Sequence, residues 1–425
     1  MKAKNNRITL GIIAFLFFAF YFIRIYSEIF KIADSSEYLS TAEIIKNGSY
    51  FTPIDNFNAA ELATKRPLLY PLFLLISFTN NLKFIIFLQT LFGIFNFYLI
   101  TKFLEKLEIN VNNHIILTLL LTPSIFIYTQ LIMSEWLAMT LVLLMTYLFL
   151  FEFNKKRFFI IQILTILLAL TKPVFYPIIF FNLLYFAIYM YRKKVFSIFL
   201  FLPVTFLFGY LNFNEYKTGY KHFSSIENIN LIDYNLYYYK SYKEGQEIAD
   251  NWRENIYKKS SELKTFAEKN NFYKQTAINE IKLNFWGYSW YHFFTSIRGM
   301  IDPGRFDVMT FFKKEDGKQG FIEILNNNKT MASFLNQKNL WIIVILIPIF
   351  IMQLLKFFCF CTFVYQNKYH LFSFRFYPIL ILILYIFLTG PVNCSRLMMP
   401  LQGLMIIITL HQLNKFQRSF KKMKS

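Results

Sequence analysis

The sequence predicts an all-α polytopic membrane protein, and three observations lead to this class. Of the 425 residues, 56% are hydrophobic and only 16% are charged, which is more apolar side chain than a soluble core of this length holds. Ten apolar stretches are long enough to cross a hydrocarbon core about 30 Å thick. The net charge of +20 comes from short basic clusters beside those stretches, so it indicates topology rather than nucleic-acid binding.

No small-residue cleavage site follows the first predicted span, so we expect this span to be retained rather than removed as a signal peptide. The spans cover residues 8–26, 84–101, 114–132, 134–152, 158–171, 174–190, 195–211, 340–358, 372–390 and 397–413. Segment 67–78 is apolar but short and contains two prolines, so we expect a half-membrane or interfacial helix there.

Basic clusters at 155–157, at 192–194 and in the C-terminal tail predict that both termini lie in the cytoplasm and that the chain is a multi-pass protein of the inner (plasma) membrane. We therefore divide the chain into three parts. These are an N-terminal transmembrane catalytic module, 1–211, with a first outer loop at 27–83; an extracytoplasmic loop domain, 212–339; and C-terminal transmembrane helices with a basic tail, 340–425.

The first outer loop begins with a short predicted helix that Gly48 ends. Asp34, Glu37 and Tyr38 have i, i+3, i+4 spacing, so they share one face of that helix. Two interpretations stay open. The acids form either a chemical site or an aspartate variant of the capping box, in which Asp34 caps the helix and Glu37 is its N3 partner.

Four cations fall at the outer ends of their segments, where the positive-inside rule does not explain them. They are Lys65, Arg66, Lys172 and Arg396. An outward-facing anion would account for these positions, and so would snorkelling to headgroup phosphates or pairing with a nearby acid.

Several short motifs occur in order on the predicted outer side. After Asp34 come Arg66-Pro67-Leu68-Leu69-Tyr70-Pro71, Ser134-Glu135, Leu170-Thr171-Lys172-Pro173, and Ser395-Arg396 with Pro400. In this order the chain resembles the GT-C class of membrane glycosyltransferases, most closely the family of protein O-mannosyltransferases and bacterial aminoarabinose transferases. The resemblance covers the N-terminal half well and the C-terminal end thinly.

The resemblance implies transfer of a sugar from a polyprenyl-phosphate donor to a lipid, glycan or protein acceptor, with inversion at the anomeric carbon. One base and several cations suffice, because the leaving phosphate needs charge neutralisation rather than a general acid. The resemblance makes Asp34 the base, with Glu37 orienting the acceptor or sharing a divalent cation with Asp34. Metal use stays open, and no other cofactor is expected. It also makes Arg66, Lys172 and Arg396 the ligands of the donor phosphate.

Three further residues have two interpretations each. Glu135 either lines the acceptor cavity or pairs with Lys172, since a carboxylate at the bilayer boundary must be wet or paired. Tyr38 and Tyr70 either contact the sugar or belong to an interfacial aromatic belt.

Residues 285–294 predict an interfacial helix that lies on the outer leaflet.

Two other function classes remain as alternatives. A secondary transporter or lipid-linked-glycan flippase would place ionisable groups near the bilayer midplane, often in repeated halves. An O-antigen polymerase or ligase would use the same class of donor but carry its main signature in a late loop. The position of Asp34 in the first loop favours the glycosyltransferase.

Overall fold

The computed structural model describes residues 2–27, 29, 31–54, 56–76, 81–109, 113–312 and 340–424. Within these residues the chain forms helices and no strand, which confirms the predicted all-α class. Among the described residues, seven helices are long and apolar enough to cross a membrane, so the chain is a membrane protein. They are Ile8–Tyr26, Leu82–Lys106, Pro173–Lys193, Ile198–Thr218, Val344–Gln366, Phe374–Val392 and Ser395–Ser419.

The helices are numbered here in chain order. The N-terminal part contains α1 (Lys2–Tyr26), α2 (Ala33–Lys46), α3 (Phe57–Lys65), α4 (Leu69–Leu75), α5 (Leu82–Lys106), α6 (Asn113–Leu120), α7 (Ser124–Ile127), α8 (Glu135–Leu148), α9 (Lys155–Thr171), α10 (Pro177–Lys193) and α11 (Leu202–Thr218). The middle part contains α12 (Ile226–Asn230), α13 (Tyr237–Glu244), α14 (Gln246–Ser261), α15 (Phe266–Leu283), α16 (Phe285–Arg298) and α17 (Arg305–Phe311). The C-terminal part contains α18 (Leu340–Gln366), α19 (Tyr377–Thr389) and α20 (Ser395–Lys424).

Three of the ten predicted spans do not form long helices in the described chain. In 114–132 helix α6 ends at Leu120, and Pro123 separates it from the four-residue α7. Stretches 134–152 and 158–171 form α8 and α9, with 14 and 17 residues against the roughly 20 that a full crossing needs. The prediction counted apolar residues alone, whereas proline and the turns between helices shorten the helices themselves.

Side-chain caps and glycines fix where several helices begin and end. Asn81 Oδ1 accepts a hydrogen bond from Lys83 N at 3.1 Å at the start of α5, and Asn154 does the same for Lys156 N at 2.9 Å at the start of α9. Gly219 ends α11 with φ at 71°, a left-handed conformation that costs glycine little.

Helix α8 lies at the centre of the bundle, where it packs against α5, α9 and α20. A Cβ added at Gly403 would lie 2.9 Å from side-chain atoms of Leu143 and Met139, so the glycine allows α8 and α20 to approach closely. Trp136, at the start of α8, is fully buried. This packing holds the first turns of α8 and α20 side by side.

The first loop forms a helical cover on one end of the bundle. Helix α2 agrees with the predicted short helix, and Gly48 follows it with φ at 78°. It packs against α3 and α4, the second of which lies in the apolar segment 67–78. The loop thus brings α2 over the ends of α8 and α20.

The described residues of the segment predicted as a loop domain, 212–339, form mostly helices joined by short turns, and residues 313–339 lie outside the described residues. Its first residues continue α11, which ends at Thr218. A small apolar cluster around Ile232, Tyr273 and Tyr288 holds its helices together. Contacts of α15 with α3, α16 with α19, and α17 with α7 and α18 pack the segment against the rest of the chain.

Candidate functional site

Helix α2 presents two acids toward the rest of the chain. The helix begins at Ala33 after an extended Ile32, and no side chain caps it, so the structure does not contain the capping box that was one interpretation of Asp34 and Glu37. Both carboxylates instead contact cations. Asp34 lies in the first helical turn, where the helix dipole favours a negative charge.

Arg66 joins the two acids of α2. It ends α3 in an extended conformation, with φ at −112° and ψ at 128°, as expected for a residue before proline. Its Nη2 lies 2.9 Å from Asp34 Oδ2 and 2.5 Å from Glu37 Oε2, and its Nε donates to Glu37 Oε2 at 2.7 Å. Lys65 also contacts Glu37, at 2.9 Å.

Arg396 joins α2 to the bundle. It is the second residue of α20, where its Nη2 contacts Asp34 Oδ2 and its Nε donates to Glu135 Oε1 at 2.9 Å. Two guanidinium groups therefore meet at one carboxylate oxygen of Asp34. Charge-assisted hydrogen bonds of this kind are among the stronger ones in proteins.

Glu135 and Lys172 form the buried part of the same network. Glu135 opens α8, Lys172 closes α9 before Pro173, and Lys172 Nζ lies 2.8 Å from Glu135 Oε1. The Glu135 side chain has no exposed surface, and that of Lys172 is 6% exposed. Of the two interpretations of Glu135, the structure contains the pairing with Lys172.

The environment of Asp34 sets its ionisation. Burial alone would raise the pKa of Asp34, but the charges of Arg396 and Arg66 outweigh burial and hold the pKa well below its usual range. Asp34 is therefore a carboxylate at neutral pH. Its side chain is 20% exposed, so it also has a face toward solvent.

Tyr38 and Tyr70 lie behind the charged residues and are fully buried. The Tyr38 hydroxyl is 2.7 Å from Ser134 Oγ, and its ring lies 5.0 Å from the Arg66 guanidinium carbon. Tyr70 donates to Gln89 Oε1 at 2.6 Å, and the two tyrosine rings meet edge to face. Both rings lie on the buried side of the charged network, so a sugar contacts either ring only if the network opens.

All eight residues that the sequence analysis selected thus lie in one contiguous network at one end of the helix bundle. They come from α2, the turn after α3, α4, α8, the end of α9, and the start of α20. The order of the motifs along the sequence did not reveal which cation pairs with which acid.

Sequence reasoning missed a second group beside Arg396. Asp307 of α17 is buried, and Tyr128 donates to its Oδ1 at 2.5 Å. Asp302 Oδ2 accepts from Ser395 N at 2.9 Å, so the middle segment caps the start of α20. Burial raises the pKa of Asp307 to about 7. Asp302-Pro303-Gly304 is a recognisable turn signal, but nothing local indicates that Asp307 is buried.

Lys356 is another residue that the sequence analysis passed over. It lies buried inside α18, where its Nζ donates to Thr122 Oγ1 at 3.0 Å and to Gln402 Oε1 at 2.7 Å. Its only signal in the sequence is a single lysine within an apolar run.

No group of three or more histidines, cysteines, aspartates or glutamates placed to hold a metal occurs among the residues that the structure describes. Asp34 and Glu37, the pair proposed for a divalent cation, have guanidinium groups as their neighbours. Protein cations thus occupy the positions around these carboxylates.

Comparisons with known proteins add no identification, because no family model, curated protein or solved structure matches the chain. Any function must therefore be argued from the site.

Proposed function

We propose that this protein is a glycosyltransferase that moves a sugar from a polyprenyl-phosphate donor to an acceptor on the outer face of the membrane. One observation carries the proposal: the partly exposed carboxylate of Asp34 lies between Arg66 and Arg396 at one end of a membrane helix bundle. A base next to phosphate-binding cations, at the level of a lipid headgroup, is what this transfer needs.

The reaction uses each of these groups. The acceptor oxygen attacks the anomeric carbon and its proton passes to Asp34, while the bond from that carbon to the phosphate oxygen breaks. The phosphate leaves with the electron pair, so negative charge grows next to Arg396 and Arg66, which stabilise it. Attack from the face opposite the phosphate inverts the anomeric carbon.

The other selected residues have supporting roles in this proposal. Lys172 pairs with Glu135, which also contacts Arg396, and so it helps to hold that arginine in position for the phosphate. Glu37 orients the acceptor from its position one turn after Asp34. Tyr38 and Tyr70 line the acceptor site once the network opens, while Glu135 stays paired with Lys172. No step in this scheme requires a metal ion.

The proposed topology keeps both termini in the cytoplasm of the inner (plasma) membrane and ten crossings, of which α8, α9 and the broken stretch 114–132 are short. The positions of the site residues support a common outer level. Glu135 and Arg396 lie at the N-terminal ends of α8 and α20, and Lys172 follows the C-terminal end of α9, so the ends of three helices meet at the site. The middle segment then lies outside as the loop domain that covers the site.

Asp34→Asn tests the proposed base, because it keeps the shape of the side chain and removes its charge. We expect the variant to fold and to lose transfer of labelled sugar from the lipid-linked donor pool in membranes of the expressing cells. Glu61→Gln is the matched control and should keep its activity, since Glu61 lies in the same loop and its side chain pairs with the outer Lys65 at 3.6 Å rather than with Arg396. Full activity of Asp34→Asn would refute the role of Asp34.

Arg396→Ala tests the donor class. Wild-type protein in detergent should bind a polyprenyl phosphate saturably, and the variant should bind it more weakly, because a bidentate cation is lost. A folded wild type that shows no binding would overturn the glycosyltransferase assignment and favour the secondary transporter.

One observation favours that second candidate. Lys356 is an ionisable group inside a helix long enough to span the membrane, a position typical of residues that serve transport. Its two neutral partners, Thr122 and Gln402, fit a structural role equally well. Loss of sugar-lipid movement across vesicles in Lys356→Met, with transfer chemistry intact, would support a flippase.

A further inference from the structure

The contacts of Arg396 bear on how a phosphate reaches it. Its Nε and Nη2, which together form one edge of the guanidinium, contact Glu135 and Asp34 respectively. Phosphate binds arginine best through two donors of one edge at once. A phosphate on this edge must therefore displace a carboxylate.

The two carboxylates differ in how firmly they are held. Glu135 has no exposed surface, is fixed at the start of the central helix α8, and is also paired with Lys172 at 2.8 Å. Asp34 is 20% exposed and lies on the short surface helix α2. When a phosphate binds Arg396, Asp34 remains paired with a second guanidinium, that of Arg66, at 2.9 Å. Asp34 is thus the carboxylate that the phosphate displaces.

Charge balance leads to the same conclusion. The network contains four cations and four acids when the outer Glu61 is included. The cations are Lys65, Arg66, Lys172 and Arg396, and the acids are Asp34, Glu37, Glu61 and Glu135. An entering phosphate therefore finds every cation already neutralised, and it repels the nearest exposed acid.

We infer that Asp34 competes with the donor phosphate for Arg396, so that donor binding itself releases Asp34 to act as the base. This inference rests on the proposed glycosyltransferase function and adds an order of events to it: the donor binds first, and Asp34 becomes free to act as the base afterwards. While Arg396 holds Asp34, two guanidinium groups stabilise the carboxylate and make it a weak base. Once phosphate takes Arg396, Asp34 keeps one cation and gains an anionic neighbour, so it accepts a proton more readily.

The order has a chemical consequence. The acceptor proton is removed only when the donor is in place, because the same displacement that seats the phosphate activates the carboxylate. The protein therefore needs no separate signal to couple the two substrates.

The test compares binding of undecaprenyl phosphate to detergent-purified wild type, Asp34→Asn and Glu61→Gln. Both substitutions remove one negative charge from the first loop, but only Asp34 contacts Arg396. We expect Asp34→Asn to bind the lipid phosphate at least ~10-fold more tightly than wild type, because an adjacent like charge has been removed. Glu61→Gln should stay within about threefold of wild type, since the Glu61 side chain pairs with Lys65 at the outer edge of the network and not with Arg396.

Inorganic phosphate in the same titration separates a lipid headgroup from a free anion, and it should not displace the lipid at equal concentration. If it does, the site is a free-phosphate site, and both the inference and the donor assignment are overturned. If Asp34→Asn does not fold, Asp34→Ser removes the same charge and takes its place.

The remaining outcomes separate the inference from the function on which it rests. Equal or weaker binding by Asp34→Asn, or equal tightening in Glu61→Gln, would overturn the competition while leaving the glycosyltransferase proposal intact. No saturable binding by folded wild type would overturn the proposed function itself.

Discussion

Lys172→Met should be among the most destabilising single substitutions in the bundle. The change leaves Glu135 buried with one cation instead of two, since its Oε1 is held by Lys172 at 2.8 Å and by Arg396 at 2.9 Å. Removing one partner of a buried pair typically costs about 3–5 kcal/mol, because the other charge stays desolvated. The remaining arginine contact places the expected loss near the lower end, at about 3 kcal/mol.

Thermal unfolding in detergent, followed by intrinsic fluorescence, measures this effect. A loss of about 3 kcal/mol corresponds to a fall in Tm on the order of 5 °C for a chain longer than a small domain. The double variant Lys172→Met/Glu135→Gln should recover at least half of the fall, because it removes the uncompensated charge as well.

Lys102→Met is the matched control for this experiment. Lys102 pairs with Glu105 at 2.9 Å, but both side chains are well exposed, so its loss should lower Tm far less than the loss of Lys172. The reasoning fails if Lys172→Met and Lys102→Met have the same Tm, or if the double variant is no more stable than Lys172→Met.

Three further predictions concern the middle segment. Since burial raises the pKa of Asp307 to about 7, the folded protein keeps a proton that the unfolded chain has released above about pH 4, so stability should fall as pH rises between these values. Asp307→Asn should remove that slope from Tm measured against pH, and an unchanged slope would exclude Asp307 as its source. Gly304→Ala should lower the free energy of unfolding by at least about 1–2 kcal/mol, because φ is 76° and the new Cβ would lie 2.8 Å from Asp307 Oδ2; a Tm equal to wild type would contradict this. Trp286 and Trp290 of α16 are 82% and 67% exposed, so replacing both by Phe should reduce the fluorescence quenching by brominated lipids, whereas replacing the buried Trp136 should not.

The sequence was sufficient for features that depend on local patterns. The length and apolar content of its helices predicted an all-α membrane protein, because a bilayer selects for these properties within a single segment. The end of the short helix α2 at Gly48 followed from a glycine signal within one stretch of chain, whereas the capping box considered for Asp34 and Glu37 does not form. The residues of the candidate site were selected for the same reason, since unexplained charges beside apolar segments are visible in the sequence itself.

Span lengths mark the limit of such local reasoning. Stretch 114–132 has enough apolar residues for a crossing, yet Pro123 divides it and the chain turns before α8. Hydropathy measures how well a segment dissolves in lipid. It does not say where the backbone bends to pack against its neighbours.

The pairing within the site was decided by tertiary structure alone. Asp34 and Arg396 are 362 positions apart, and only the packing of α20 against α8, with α2 above them, makes them partners. The same is true of Asp307, whose side chain is ordinary in sequence and becomes buried only where the middle segment closes on Tyr128. Sequence by itself determined which residues carry charge and which segments are apolar. Which charges neutralise one another depended on distances between remote segments, because ion pairing and burial are properties of the packed chain.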